Sequence, residues 1–389
     1  MTMRKQYDII VIGGGVQGLS LAYNLALRKP GKIAVFDKSY IGSGASGRNG
    51  EMIRSAFGSE EWIRLFDTSL QIWEDLAIEL DFNVMFTRCG YLVLASTPED
   101  LSAFRTNCKQ QKAMGLKTRM VDAGEVADLI PSLNPRVFVG GVFQKEGGVA
   151  RHDAVVWAYE RAAQRLGVEI FPYTEVVDVN VESDKITGVR TSLENILTGV
   201  VVNAAGAFAG QVAEMAGVNL MLDVYRLEMI VTEPLKPFLD VALSSPHFLA
   251  YMHQTARGEF AGGAEPQNLS PFLGLKNTLR AVQDMAHKFG SLFPGLRGAK
   301  LMRQWAGIVA KSPDRGPLLG AVDGLEGFFL NAGWGGYGFM GSPAGGRLMA
   351  ELIVDGQTPD AVHPFNPNRF KTGQIIVEPT IIGAAENGV

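Results

Sequence analysis

The chain has 389 residues, 47% of them hydrophobic, and a formal net charge of −4. This length exceeds what one small core accommodates and predicts two domains, and the charge excludes the basic footprint of a nucleic-acid-binding protein. Cys89 and Cys108 lack metal-ligand spacing, so no metal site is expected, and burial as small apolar residues is favoured over a disulfide. No signal peptide or apolar run of ~18 residues occurs, and we expect a cytoplasmic protein without a membrane span.

The first predicted elements form a βαβ unit, with a buried strand over 7–12, an amphipathic helix over 17–27 and a second strand over 33–37. The remaining predicted helices are 59–81, one that begins at Pro98 behind a Thr97 cap, 152–166, one near 276–292, and 343–354. The remaining predicted strands are 90–95, 168–171, 176–181, 186–191, 200–206, antiparallel strands within 223–304, and 327–331.

Dinucleotide-type elements therefore occur at the start, middle and end of the chain, with more sheet-like segments between them. This order predicts an α/β fold in which a Rossmann-type domain is interleaved with a substrate domain built on a mainly antiparallel sheet. The predicted Rossmann-type domain comprises 1–90, 145–222 and 305–389, and the predicted substrate domain comprises 91–144 and 223–304.

A glycine fingerprint follows the first strand. Gly13 permits the turn, Gly15 lets the backbone approach a pyrophosphate, and Gly18 lets the helix pack closely on the strand. Asp37 ends the second strand and could accept hydrogen bonds from ribose hydroxyls, which argues against a 2′-phosphate. The alternative is a tight turn that binds no ligand, and the fingerprint alone does not separate FAD from NAD.

Three further segments carry a family resemblance: the small-residue loop 41–50, the strand and turn 202–206, and the glycine-rich loop 333–339. Together they resemble the D-amino-acid oxidase superfamily over nearly the whole chain, and most of all the beta subunits of heterotetrameric sarcosine oxidases and their dehydrogenase relatives. The resemblance implies FAD, bound non-covalently because 310–314 has no cysteine. The residues expected to bind it are Gly13, Gly15, Gly18, Asp37, Lys38, Gly44, Ala45, Ser46, Arg48, Asn49, Gly50, Val176, Ala205, Gly206, Gly335, Gly336, Tyr337, Gly338, Phe339 and Met340.

The loop at 333–339 leads into the last predicted helix, with Ser342 as its cap and Pro343 in its first turn. The partial positive charge of that helix end could stabilise reduced flavin, although simple packing under the sheet is the alternative. In oxygen-using relatives a lysine stands where this chain has Met340. Methionine supplies no cation beside the flavin, which favours a dehydrogenase that passes electrons onward.

The resemblance also implies a substrate, because relatives oxidise the C–N bond of amino or N-alkyl amino acids. Arg54 is expected to anchor the substrate carboxylate, and Tyr251 to line the cavity, although a surface arginine and a core tyrosine are the alternatives. Packing is favoured for Trp305, and His253 is not expected to be a base. We expect hydride transfer from a secondary-amine α-carboxylate such as sarcosine, proline or an opine. Alternatives are glycine or primary amino-acid oxidation (including cyanide formation), a flavin electron-transfer subunit, and an NAD-dependent dehydrogenase.

A second cofactor is considered at Arg151-His152-Asp153. In heterotetrameric sarcosine oxidases a similar element before a helix carries covalently linked FMN, which implies FMN at His152 with Arg151 suited to a phosphate, and alpha- or gamma-type partner subunits. The alternative is that His152 and Asp153 only begin a helix. Glu51 departs from the small or neutral residue of the oxidase pattern, which could reshape the substrate pocket.

Overall fold

A computed structural model describes residues 3–265 and 274–380. The helices of this part of the chain are α1 (Val16–Arg28), α2 (Glu60–Glu79), α3 (Pro98–Ala113), α4 (Ala123–Leu129), α5 (His152–Arg165), α6 (Ala209–Met215), α7 (Leu279–Leu292) and α8 (Ser342–Asp355). Within the same ranges, no helix is both long enough and apolar enough to cross a membrane.

The strands are short and spread along the chain. They are β1 (Ile9–Ile12), β2 (Ile33–Phe36), β3 (Met52–Ile53), β4 (Tyr91–Ala95), β5 (Thr118–Asp122), β6 (Gly140–Gln144), β7 (Gly148–Val149), β8 (Glu169–Phe171), β9 (Val176–Glu182), β10 (Lys185–Thr191), β11 (Asn195–Leu197), β12 (Val201–Asn203), β13 (Asp223–Pro234), β14 (Ala242–Ser245), β15 (Ala250–Gln254), β16 (Glu259–Ala264), β17 (Leu301–Lys311), β18 (Leu318–Ala321) and β19 (Phe328–Ala332).

One of the two large sheets has six strands, in the order β18-β19-β12-β1-β2-β8. Its pairs are parallel except β18 with β19. Strands β1 and β2 are apolar throughout because both faces are covered, as expected for parallel strands. Helices α1, α5 and α8 contribute to the core on one face, while α6 and the three-stranded sheet β11-β10-β9 contribute to the other.

The other large sheet has eight strands, in the order β17-β13-β16-β15-β14-β4-β6-β5. Its pairs are antiparallel except β14 with β4. One face packs against α4 and α7 around Phe260, Phe289 and Phe293. The fold class predicted from the sequence is thereby confirmed. The predicted division at 304–305 falls within β17, so we propose a substrate domain that extends to Lys311.

Most predicted elements coincide with observed ones to within a few residues. The predicted cap of α3 is present as a reciprocal capping box between Thr97 and Asp100, which satisfies backbone donors at the helix start. The predicted cap of α8 is wrong. Gly341 occupies the N-cap position, and the Ser342 hydroxyl donates back to the Phe339 carbonyl instead of accepting from the helix.

Candidate active site

One elongated cavity of about 470 Å³ runs between the six-stranded sheet and the eight-stranded sheet. Every residue predicted to bind FAD lines this cavity except Gly18, and both predicted substrate residues, Arg54 and Tyr251, line it too. The structure thus brings residues from the start, middle and end of the chain to one surface. Their individual roles stay predictions.

The glycine turn shows why each of its three glycines is needed. Gly13 has φ +115°, and a Cβ there would lie 2.4 Å from the Ala204 carbonyl oxygen. A Cβ on Gly18 would lie 2.0 Å from the Gly13 carbonyl oxygen, which explains its close packing outside the cavity. A Cβ on Gly15 would meet only Ser46 Oγ, at 3.0 Å, so this glycine keeps the backbone open toward the cavity.

Asp37 lies beside this turn at the end of β2. Its carboxylate accepts hydrogen bonds from the backbone N–H groups of Gly14 and Ser39, each at 2.8 Å. Burial raises the pKa of Asp37, and these two hydrogen bonds oppose that shift. Each carboxylate oxygen has two lone pairs, so the group retains acceptor capacity for ribose hydroxyls.

The small-residue loop closes over the turn through polar contacts. Ser46 Oγ accepts from the Val16 backbone N–H at 2.9 Å, which satisfies a free donor at the start of α1. Arg48 donates to the Ser43 carbonyl at 2.6 Å and accepts at its own carbonyl from Trp305 Nε1 at 3.0 Å. Trp305 therefore ties the loop to β17, in keeping with the packing role favoured from the sequence.

Two buried polar atoms beside the cavity lack hydrogen-bond partners among the described residues. They are Gln17 Oε1 and Asn331 Nδ2, and both residues line the cavity. Buried amide groups are normally paired, so an unpaired acceptor and donor at a cavity wall fit a polar ligand that completes them. The open surface at Gly15 and these atoms suit the phosphate and polar ring groups of FAD.

The loop before α8 forms the wall at the far end. The Met340 carbonyl accepts from Ser69 Oγ at 2.6 Å and from Trp73 Nε1 at 2.9 Å, so α2 holds this loop in place. The Met340 side chain is buried and belongs to the apolar core while lining the cavity. No charge is supplied at this position, as the sequence predicts.

Arg54 is buried, with 4% of its surface exposed, which excludes the surface alternative. Its guanidinium lies 3.9 Å from the centre of the Phe57 ring and donates to the carbonyls of Ala56 and, at 3.4 Å, Thr380. Since a guanidinium has five N–H donors, three have no partner in the part of the chain that the structure describes. These free donors are available to a carboxylate in the cavity.

The eight-stranded sheet forms another part of the cavity wall, and the ring centre of Tyr91 on this sheet lies 5.6 Å from the Arg54 guanidinium. Tyr251 on β15 pairs with Gly263 on β16, and the phenol lies across that glycine, where a Cβ would be 2.4 Å from the hydroxyl oxygen. The hydroxyl groups of Tyr251 and Tyr91 have no hydrogen-bond partner among the described residues, and both side chains line the cavity. Burial raises the pKa of Tyr251, so the phenol is protonated and can donate a hydrogen bond.

Sequence reasoning missed several residues at this end of the cavity. Glu265, at the end of β16, lines the cavity and pairs with Lys311 at 3.3 Å. Burial lowers the pKa of Lys311, and the Glu265 carboxylate opposes that shift. Neither residue belongs to a recognisable motif. The only signal was that both lie at the ends of strands, β16 and β17, which flank β13 in one sheet.

The C-terminal segment was missed as well. Glu378 is buried and accepts from the backbone N–H groups of Gly58 and Ser59 and from the Ser59 hydroxyl, at 2.7–3.0 Å. This carboxylate satisfies free donors at the start of α2. The segment thereby brings the Thr380 carbonyl to Arg54.

A separate charged cluster surrounds Glu51, which also lines the cavity and has φ +62°. Glu51 Oε1 lies 2.6 Å from His152 Nδ1 and 3.6 Å from Arg151 Nε, and Glu51 Oε2 lies 3.7 Å from His253 Nε2. Burial raises the pKa of Glu51, but the neighbouring hydrogen bond and charges of His152, His253 and Arg151 bring it below its ordinary value. Burial lowers the pKa of His253. Arg151 and His152 do not line the cavity, and His152 is the first residue of α5.

Comparison with known proteins agrees with this site. The family model of the FAD dependent oxidoreductases (DAO) matches residues 8–352. The sarcosine oxidase subunit beta of Rhodobacter capsulatus is 34% identical over 387 residues, which are 98% of this chain and 93% of that protein. The same subunit of Rhizobium meliloti is 33% identical over 383 residues, 96% of this chain and 91% of that protein. The crystal structure of L-proline dehydrogenase from P. horikoshii has a TM-score of 0.92 and 31% identity, and covers 96% of this chain and 100% of that one. The chain therefore belongs to the DAO family of FAD-dependent oxidoreductases, and we propose that the cavity is its FAD site.

Proposed function

We propose that this enzyme oxidises the C–N bond of a secondary-amine α-carboxylate, such as sarcosine, proline or an opine, to an imine. The observation that carries the proposal is the buried Arg54, which lines the FAD cavity with three N–H donors unpaired within the described ranges. A guanidinium binds a carboxylate through two parallel hydrogen bonds and so orients it as well as attracting it.

The surrounding residues explain how such a substrate would be held. Contact with Phe57 and the Ala56 carbonyl restricts the Arg54 side chain, so little ordering remains when a carboxylate binds. The hydroxyls of Tyr91 and Tyr251 provide additional donors on the cavity wall. FAD, when bound, supplies the acceptor for the hydride of a substrate carbon attached to the nitrogen. Holding that carbon in a reactive position contributes several kcal/mol to catalysis, on the order of 7–11 in well-oriented cases.

The relatives support the same substrate class. Two are named for sarcosine and one structure is named for L-proline. Both compounds carry a secondary amine next to a carboxylate, and both would offer Arg54 the same group. A primary amino acid such as glycine is the alternative that a substrate panel distinguishes.

We further propose that electrons leave the enzyme through a partner protein or another acceptor, with alpha- or gamma-type partner subunits. Met340 at the cavity wall supplies no cation to favour oxygen reduction. The name "subunit beta" of the relatives describes proteins that function with other chains. Purification from its native source followed by sizing would test this proposal, since a chain that remains free of partners would contradict it.

The carboxylate requirement is the sharpest test of the proposed function. Reduction of the enzyme-bound flavin is followed anaerobically with sarcosine and L-proline, and with dimethylamine and pyrrolidine, which lack the carboxylate. We expect bleaching of the flavin only with the two amino acids. In Arg54→Met the second-order rate constant of flavin reduction should fall by about 100-fold or more, because two charge-assisted hydrogen bonds to the carboxylate are removed. Arg64→Met, at an exposed arginine of α2, is the matched control. Equal bleaching by the decarboxylated amines would contradict the proposal.

Covalent FMN at His152 stays a proposal beside this function. His152 Nδ1 is engaged by Glu51, while the other ring nitrogen has no partner among the described residues, and the side chain is 23% exposed. That nitrogen is accessible to a cofactor or a partner chain. Flavin colour retained in the protein after acid precipitation, and lost in His152→Ala, supports covalent attachment. A colourless pellet contradicts it.

A further inference from the structure

The cavity wall formed by the eight-stranded sheet contains one formal charge among the described residues. This wall is made by apolar residues, glycines, tyrosine and serine hydroxyls, and the carboxylate of Glu265. Arg54 lies on the segment that follows β3, and its guanidinium is 5.6 Å from the ring centre of Tyr91 on this wall. The Glu265 carboxylate and Tyr91 both act electrostatically on Tyr251 of the same wall. A carboxylate and a guanidinium beside the same tyrosines match the two charges of an amino-acid zwitterion.

The backbone around Glu265 fixes where its side chain projects. Glu265 is two residues beyond Gly263, the strand partner of Tyr251, and side chains two residues apart in a strand share a face. The Glu265 N–H donates to the Leu249 carbonyl at 2.8 Å, and its carbonyl accepts from Lys288 Nζ at 3.1 Å. Glu265 is therefore held at both backbone groups while its carboxylate remains at the cavity.

Lys311 engages only one oxygen of that carboxylate. Lys311 Nζ lies 3.3 Å from Glu265 Oε2, and no partner of Oε1 occurs in the described ranges. The other charged or titratable groups around this pair are Lys288, Tyr251 and, beside Lys311, Tyr225 and Arg315. Lys311 therefore leaves Oε1 available to a ligand in the cavity.

We propose that Glu265 binds the substrate ammonium group and accepts its proton before oxidation. This inference rests on the proposed function, since it assumes an amine substrate whose carboxylate is held by Arg54. An alkylamine is protonated at neutral pH, as the ordinary lysine pKa of about 10.4 shows, and has no lone pair to form a C=N bond.

One N–H bond of the ammonium breaks and its proton binds Glu265, leaving a neutral amine. A C–H bond on a carbon attached to this nitrogen then breaks with its electron pair, which leaves as hydride to FAD, and the nitrogen lone pair forms the C=N bond. The substrate is oxidised by two electrons, FAD is reduced by two, and Lys311 keeps its own proton throughout.

The test compares flavin reduction by L-proline or sarcosine in the wild type, Glu265→Gln and Glu265→Asp from pH 6 to 10. At pH 7 we expect the rate of flavin reduction in Glu265→Gln to be at least about 100-fold lower than in the wild type, which is within the range of general acid–base effects. This rate should recover as the pH approaches the pKa of the free amine, because the substrate then loses its proton to solvent. Glu265→Asp retains the carboxylate and should keep the wild-type pH profile at a lower rate. Glu259→Gln, on the same strand but away from the cavity, is the matched control.

A second measurement separates proton transfer from general damage. Tetrahydrofuran-2-carboxylate has a ring oxygen in place of the amine and therefore no proton to give to Glu265. Its dissociation constant, followed by flavin absorbance, should stay within about twofold of the wild-type value in Glu265→Gln but rise in Arg54→Met. An unchanged rate and pH profile in Glu265→Gln, or an aspartate variant with the glutamine profile, would overturn the inference. If the wild-type flavin is not reduced by any secondary-amine acid, the proposed function fails instead.

Discussion

Replacement of Gly15 by alanine is expected to weaken FAD binding without disturbing the apoprotein. Gly15 has extended backbone angles, φ −82° and ψ 175°, that any residue adopts, so alanine introduces no backbone strain. The added Cβ meets Ser46 Oγ at 3.0 Å and no other atom within 4 Å beyond its chain neighbours. It otherwise projects toward the cavity, where we expect the pyrophosphate.

The size of the effect follows from that position. Overpacking by one methyl group costs about 1–3 kcal/mol, which corresponds to roughly 5- to 150-fold in the dissociation constant of FAD. Gly18→Ala acts differently, because its Cβ would lie 2.0 Å from the Gly13 carbonyl oxygen. We expect Gly18→Ala to lower the free energy of unfolding of the apoprotein, which Gly15→Ala should change by no more than about 0.5 kcal/mol.

The assay is a fluorescence titration of apoprotein with FAD, combined with urea unfolding of each apoprotein. Gly210→Ala is the matched control, because Gly210 in α6 does not itself line the cavity and a Cβ there meets no atom within 4 Å. Wild-type FAD affinity in Gly15→Ala would refute the reasoning, since it would show that the cofactor does not approach this glycine.

Three other predictions concern groups around the cavity. Glu378→Ala should raise the KM for the amino acid more than it lowers kcat, because Glu378 anchors the segment that orients Arg54, and Glu378→Gln should partly restore KM. Steady-state assays measure both constants, and a KM equal to the wild-type value in Glu378→Ala would contradict this. Burial lowers the pKa of His253, so the unfolded chain binds the proton more readily than the folded chain does. In urea unfolding, the free energy of unfolding should therefore fall as the pH drops below about 6.5, and it should fall less in His253→Asn. Asp314→Asn should lower the free energy of unfolding by about 3–5 kcal/mol, because it leaves Arg369 buried without its ionised partner at 2.8 Å, and adding Arg369→Met should recover part of that loss. A double mutant whose loss equals the sum of the two single losses would show that the two residues are not coupled.

The parts of the site that could be predicted are those with local sequence signals. The turn at Gly13, Gly15 and Gly18 has a fixed spacing because one strand, one turn and one helix create it, and Asp37 follows from the same βαβ unit. The alternation of apolar residues likewise predicted most strands and helices. Membership of the FAD-dependent family excludes the NAD-dependent alternative, which the fingerprint alone could not.

The parts that could not be predicted depend on contacts between distant segments. Glu265 and Lys311 meet only because β16 and β17 both flank β13, and Glu378 reaches the start of α2 from the far end of the chain. Their neighbours in the sequence give no sign of these partners. The wrong cap at Ser342 has a local cause. Its hydroxyl donates to the Phe339 carbonyl one turn earlier, and Gly341 occupies the N-cap position before the helix begins at Ser342.

The proposed function requires that the FAD in this cavity is reduced by amino acids held through their carboxylate. Anaerobic titration of the purified, FAD-loaded protein with a panel of secondary and primary amino acids tests it most directly. The account predicts complete bleaching of the flavin by at least one secondary-amine α-carboxylate, with two electrons taken up per FAD. A flavin that stays fully oxidised with every α-carboxylate in the panel would contradict it.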